Sequence, residues 1–133
     1  MDTIKRTTVK ALIEKDGKIF IVRASDRNWE LPGGKIDNDD SVEDTLRREL
    51  KEELGLDKVN IGPQINNFEF SVECYGKKYI FNVIVCECQA NLSNITLSDE
   101  HAEFVWVNPK EIEKYPMQDG YKNVIQEYAN EKS

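Results

Sequence analysis

Cysteine is scarce in this chain. Cys74, Cys86 and Cys88 are the only three, an odd number without the spacing of a zinc site, so reduced thiols are expected. The single histidine, His101, sits in a polar stretch and reads as a surface loop residue. No apolar run approaches the ~20 residues of a membrane span. The first ten residues, MDTIKRTTVK, lack the apolar region of a secretory signal. A cytoplasmic protein is expected. An excess of base is missing as well: 18 Lys and Arg face 25 Asp and Glu, for a net charge of -7. That excludes a coat for a nucleic-acid polymer or an anionic membrane, since both need a basic surface. A small phosphorylated substrate stays open, because a bound cation inverts the local field. Internal repeats, low-complexity stretches and linkers are lacking too. The 133 residues are expected to form one domain, 1–133, with one core, as a monomer or a homodimer.

What is present is a sequence of strands and helices. TTVKALIEKDGKIFIVRA reads as two strands around Asp16-Gly17, a pair that favours a tight hairpin. In ELPGGKI, Pro32, Gly33 and Gly34 break regular structure. Ser41 is a good N-cap with Asp44 three residues on, and Gly55 is placed to end the helix that follows. NNFEFSVECY alternates, with Phe68, Phe70, Val72 and Cys74 on one face. Gly76-Lys77 can turn the chain back into KYIFNVIVCECQA. That strand is apolar on both faces, with Tyr79, Phe81, Val83 and Val85 on one and Ile80, Ile84 and Cys86 on the other, so it is expected to be central and covered on both sides. AEFVWV is a further strand. Asn108 and Pro109 start a helix. Tyr121, Val124, Ile125 and Tyr128 stand at helical spacing in a terminal amphipathic helix. The fold class is α/β: a mixed sheet with helices packed on it.

The helix after Ser41 carries acids where its apolar stripe should be. With Leu46 as reference, Val42, Leu50 and Leu54 lie within about 80°, and Glu53 and Glu49 fall inside the same stripe at about 20° and 60°. Glu52 lies at the stripe's edge. Glu49, Glu52 and Glu53 stand at i, i+3 and i+4, so their side chains are neighbours. On a solvated face their repulsion would be small. Partly buried, at ~6 Å and an effective dielectric near 20, each pair repels by roughly 3 kcal/mol, and a cation would relieve it. Hard oxygen ligands select Mg²⁺ or Mn²⁺, which complete their shells with water and substrate phosphates. The two glycines before the helix let backbone pass close to a bound group. Two readings stand at this point: a solvated charged face, or a metal-dependent site for a phosphorylated molecule.

The segment resembles the box of the Nudix hydrolases. Gly34 opens it, and five residues later comes Asp40 where the family has Glu. Seven further on follow Arg48, Glu49, Leu50, Lys51, Glu52, Glu53, Leu54, Gly55 and Leu56. Every fixed position of this 23-residue pattern matches except Asp40. WELPGGKI upstream and EFVWV with its Pro-started helix are similar to the family as well. The resemblance implies the Nudix fold, an α/β/α sandwich with a central mixed β-sheet, and metal-dependent hydrolysis of a nucleoside diphosphate linked to another group. It implies divalent metal at Glu49, Glu52 and Glu53 with the Gly33 carbonyl, and Arg48 orienting an acidic side chain. Glu49 is the first candidate for assisting water, and Glu100, favoured over Glu103, for a distal acid. At Asp40 a carboxylate remains, and an adjusted loop is expected, not a dead enzyme.

The substrate is read from scattered residues. Trp29 and Phe68 or Phe70 are candidates to stack a base, Asn82 to line a pocket, and Arg23 or Arg27 to meet phosphate. YPMQD loosely resembles the segment before the last helix of oxidised-purine triphosphatases, which makes Asp119 the candidate base reader. A MutT-like pyrophosphatase converting a nucleoside triphosphate to monophosphate and pyrophosphate suits the short chain. Dinucleoside polyphosphate, ADP-ribose and nucleotide sugar remain alternatives. So does a non-catalytic Nudix-fold module that binds a nucleotide, although its expected loss of box carboxylates is not seen.

Overall fold

Asp16 and Gly17 both adopt positive φ, 51° and 79°, the geometry whose twist suits a two-residue hairpin. They join β1 (Asp2–Lys15) to β2 (Lys18–Arg23). The computed structural model describes residues 2–24, 27–37, 39–93, 95–97 and 103–132. Within these, β3 (Gly33–Lys35), α1 (Val42–Leu54), β4 (Asn60–Cys74), β5 (Lys77–Gln89), β6 (Glu103–Val107), a 3₁₀ turn (Pro109–Lys114) and α2 (Asp119–Lys132) follow in order.

The sheet runs β4-β5-β1-β2-β6, with β3 paired to β1. Only Glu14↔Ile19 and Lys15↔Lys18 join β1 to β2, whereas β1 runs parallel to β5 from Asp2↔Lys77 to Ile13↔Cys88. The sheet is therefore mixed, and β5 lies inside it as its two apolar faces require. Two cores flank it. Val9, Ala11, Ile13, Cys86 and Cys88 pack with Leu46, Leu50 and Leu54 of α1. Leu12, Val83 and Val85 pack on the other face with Tyr121, Val124, Ile125 and Tyr128 of α2. Alternation along β1 and β5 serves both layers, and the result is the α/β/α sandwich. The three cysteines are free thiols. Burial pushes the Cys86 thiol up and the Cys88 thiol up to about 12.

Several local expectations need correction. The Pro-Gly-Gly stretch is not wholly irregular, because Gly33–Lys35 pairs with Thr8–Lys10 of β1. The hairpin between β4 and β5 turns on Tyr75 and Gly76, with φ 52° and 74°, one residue earlier than Gly76-Lys77. Val72 and Cys74 share a face with Phe68 and Phe70 by alternation but are exposed, near the hairpin tip. Asn108 caps Lys110 N–H as expected, yet Pro109–Lys114 is 3₁₀ rather than α.

Candidate active site

Local chemistry sets the limits of α1. The Ser41 hydroxyl accepts from Asp44 N–H, and Gly55, at φ 70°, donates to the carbonyls of Leu50 and Lys51. Between these caps the wheel places the acids as the periodicity requires. Glu53 is buried at 5% exposure, Glu49 is half-buried and Glu52 is exposed. The glycine loop closes directly on the two inner acids. Gly33 N–H donates to Glu53 Oε2 at 3.2 Å. A Cβ on Gly34 would stand 2.4 Å from Glu49 Cδ, so only glycine leaves room for that carboxylate. Gly33 itself has φ +147°, and a Cβ there would meet the Val9 carbonyl oxygen at 2.0 Å.

Arg48 points to the loop on the other side of the acids. Its Nη1 donates to Asp40 Oδ2 at 2.7 Å, and Nη2 lies 3.6 Å from Glu49 Oε1 and 3.9 Å from Asp37 Oδ2. The hydrogen bond it donates to Asp40, first, and then the nearby charges of Asp40, Glu49 and Asp37 push the Arg48 guanidinium's pKa up. Asp40 is thus tied to Arg48, the loop-supporting position expected for the one departure from the box.

The donor set fits a hard divalent cation. It is made of carboxylate oxygens, two of them drawn out of water against a loop that only glycine can form, with a third one helical turn away. Among the described residues no three His, Cys, Asp or Glu side chains are grouped closely enough to hold a metal ion. Glu53 is engaged by Gly33, and Glu49 is within reach of Arg48.

On the opposite sheet face, aromatic rings form a row. Tyr121 meets Phe68 edge-on at 5.2 Å. Phe68 and Phe70 are 6.4 Å apart, Phe70 and Phe81 5.1 Å, and Phe81 and Tyr79 6.3 Å. The four rings from Phe68 to Tyr79 are half-buried. The start of α2 sits on this row, since a Cβ on Gly120 would stand 2.2 Å from the Phe68 ring. Asp119, the first residue of α2, is exposed beside it.

Arg23 and Trp29 are brought together, with the guanidinium carbon 4.9 Å from the ring centroid. Arg23 also pairs with Glu103. Trp29 is itself buried at 8% exposure, and it bridges Met117, two residues before Asp119. Trp29 and Glu103 line a groove of about 490 Å³ together with Leu97, Phe104, Val105 and Tyr115. Asn82 is not brought to Asp119. Val83 and Val85 face α2, so alternation turns Asn82 to the α1 side. Arg27 is exposed. Glu100 and His101 lie outside the described residues.

Lys10 went unread in the sequence, although its place in register with Leu12 on an inward face was a signal. It is 5% exposed, and its Nζ donates to Glu30 Oε1 at 3.0 Å. Burial pulls the ammonium's pKa down, but Tyr121, Glu30 and Glu53 around it outweigh that and leave it above the ordinary lysine value.

Comparison with known proteins agrees with this geometry. The NUDIX domain family model matches residues 4–128. Nucleoside triphosphatase NudI of Escherichia fergusonii is 33% identical over 127 residues, covering 85% of this chain and 89% of that one. The solution structure of the E. coli ORF135 protein superposes with a TM-score of 0.73 at 26% identity, over 98% of this chain and 93% of that one. The MutT protein of Methanosarcina mazei Go1 gives 0.70 at 27% identity, over 100% and 99%. The chain belongs to the Nudix hydrolases and is a MutT-like member of them. As a family these enzymes need a divalent metal. No helix among the described residues is long and apolar enough to cross a membrane.

Proposed function

We propose that the protein hydrolyses a nucleoside triphosphate to the monophosphate and pyrophosphate, with Mg²⁺ or Mn²⁺ held by Glu49, Glu52, Glu53 and the Gly33 carbonyl. The observation that carries this reading is the closure of the Gly33-Gly34 loop on Glu49 and Glu53. It gathers negative charge in a half-buried place, where the substrate's phosphates beyond the one nearest the sugar would be repelled without a cation. When bound, the cation neutralises the diphosphate, polarises a phosphoryl oxygen and makes water a better nucleophile.

The chain's own groups do the rest. Glu49, half-buried beside Gly34, accepts the proton of the attacking water. The water oxygen bonds to phosphorus in line with the anhydride oxygen, the P–O bond breaks, and pyrophosphate leaves with the electron pair. Arg48 holds Asp40 and thereby the loop leading into α1. Glu100 is the proposed distal acid. Glu103 is the less suited of the two, because it is already paired with Arg23. The base lies against the row from Phe68 to Phe81, with its edge toward Asp119. Trp29 lines the neighbouring groove, with the Arg23 guanidinium over its ring. The substrate class rests on the likeness to the nucleoside triphosphatase NudI and on the aromatic row.

The test is kcat/KM with Mg²⁺ for 8-oxo-dGTP, dGTP, dCTP, ADP-ribose and a dinucleoside polyphosphate, with products identified, in wild type and Asp119→Ala. Asp119→Ala is expected to lose roughly ten- to a hundredfold in base discrimination, the effect of one hydrogen bond to a charged group. Unchanged ratios remove Asp119 as the base reader. Turnover of ADP-ribose or the dinucleotide with no triphosphate cleaved overturns the substrate class.

A further inference from the structure

The part-buried Lys10–Glu30 pair is not what fixes the backbone of the loop it touches. Backbone hydrogen bonds already fix that loop. Glu30 N–H donates to Val22 and Val22 N–H to Glu30, Trp29 N–H donates to Pro116, and Ala11 N–H donates to Pro32, all at 2.8–2.9 Å. Nor is a buried ion pair an efficient source of stability. An apolar side chain of similar volume is often neutral or better at such a place, because the ammonium must be stripped of water. Stability alone does not account for a charge there, which leaves it other work.

Its position indicates what that work is. Lys10 pairs in register with Gly33 of β3 and with Val85 of β5. On its β3 side lies the Gly33–Glu53 contact, the inner edge of the box. On its α2 side lies Tyr121, whose ring meets Phe68 at the start of the aromatic row. Lys10 therefore stands between the acids that serve the phosphates and the surface that serves the base. The pair is also asymmetric. The Lys10 side chain is 7% exposed and that of Glu30 is 38% exposed. Glu30 can swing into water at little desolvation penalty, while the ammonium stays, in a low dielectric where its pull on an anion is strong. A lysine ammonium is a compact point charge suited to a single phosphoryl oxygen.

We propose that Lys10 is a substrate ligand whose ammonium exchanges Glu30 for the phosphoryl group nearest the sugar. Glu30 holds the ammonium in place until the nucleotide arrives. The inference rests on the nucleotide reading above and adds to it the residue that joins its two halves.

Binding of the product class, without metal and without turnover, tests it apart from that reading. The affinities of GMP, AMP, CMP and UMP and of the four matching nucleosides are measured by titration in EDTA. Wild type should favour at least one monophosphate over its nucleoside tenfold or more. Lys10→Met should remove that preference and leave the nucleoside affinity within twofold, while Lys10→Arg keeps part of it. Glu30→Gln should tighten the monophosphate, because the ammonium is no longer shared. An unchanged preference in Lys10→Met overturns the proposal, as does an equal loss for nucleotide and nucleoside. If Lys10→Met does not fold, Glu30→Gln decides, and weaker monophosphate binding in that variant is the contrary result. A wild type without phosphate preference that still cleaves triphosphates with Mg²⁺ defeats Lys10 alone. One that shows neither property defeats the nucleotide reading too.

Discussion

Gly33 donates its backbone N–H to the Glu53 carboxylate at 3.2 Å, and its neighbour Gly34 leaves the space that Glu49 occupies. Two adjacent glycines thus meet one helix at two different acids, one by a hydrogen bond and one by leaving room. Their replacement should separate stability from activity.

Gly33→Ala places a methyl 2.0 Å from the Val9 carbonyl at φ +147°. Backbone strain and overpacking together should destabilise the fold by roughly 2–6 kcal/mol. In Gly34→Ala the three atoms nearest the methyl all belong to the Glu49 side chain, which can rotate away. Unfolding in urea should show that variant within about 1 kcal/mol of wild type, since a mobile side chain absorbs the clash. Its turnover should nevertheless fall at least tenfold, about 1.4 kcal/mol in barrier, because Glu49 is displaced. A Gly34→Ala enzyme with normal turnover contradicts the placing of Glu49.

Asp40 tests the departure from the family box. It bonds Arg48 at 2.7 Å, and Asp40→Glu restores the family residue. Turnover should stay within about tenfold of wild type. A loss as large as that of Glu53→Gln would make Asp40 a direct participant in the chemistry.

Tyr128 gives a pH signature. Its hydroxyl donates to Glu87 at 2.9 Å. Burial first, and then that hydrogen bond, pushes the phenol's pKa up. A raised folded pKa favours the neutral form, so this contribution is complete below the unfolded value of ~10 and fades as pH rises toward the folded value. Tyr128→Phe should therefore lose about 1 kcal/mol at neutral pH, and the deficit should shrink above pH ~10. Equilibrium unfolding of both proteins at pH 7, 9 and 10.5 reads this directly. A deficit that grows with alkalinity reverses the sign and contradicts the assignment.

Much of the architecture was legible because local chemistry and tertiary packing agree. Ser41 and Gly55 limit α1, Asp16-Gly17 makes the first hairpin, and the four apolar positions of α2 are the four it buries. What escaped depends on partners distant in sequence. Gly33–Lys35 becomes a strand only because β1 lies alongside. The strand β4 starts at Asn60, through Gly62 and Pro63, by shifting register twice against β5, so its first third has no clean alternation. Of the site, the box acids showed themselves as charge inside an apolar stripe. Asn82, read as a pocket residue, was placed on the wrong side, because parity tells which residues share a face but not which face α2 covers. Lys10 was hidden for the converse reason. A single charge in an apolar strand reads as an exception until the acid that neutralises it, twenty residues away, is placed beside it.

The central claim is that Glu49, Glu52 and Glu53 hold the divalent cation. Isothermal titration of Mn²⁺ into wild type and Glu53→Gln tests it most directly, because glutamine still accepts the Gly33 N–H and removes only the charge. Wild type should bind Mn²⁺ and gain thermal stability with it, since the cation relieves repulsion present only in the fold. Glu53→Gln should bind at least about tenfold more weakly, ~1.4 kcal/mol. Equal affinity in the two proteins would contradict the claim and remove this cluster as the metal site.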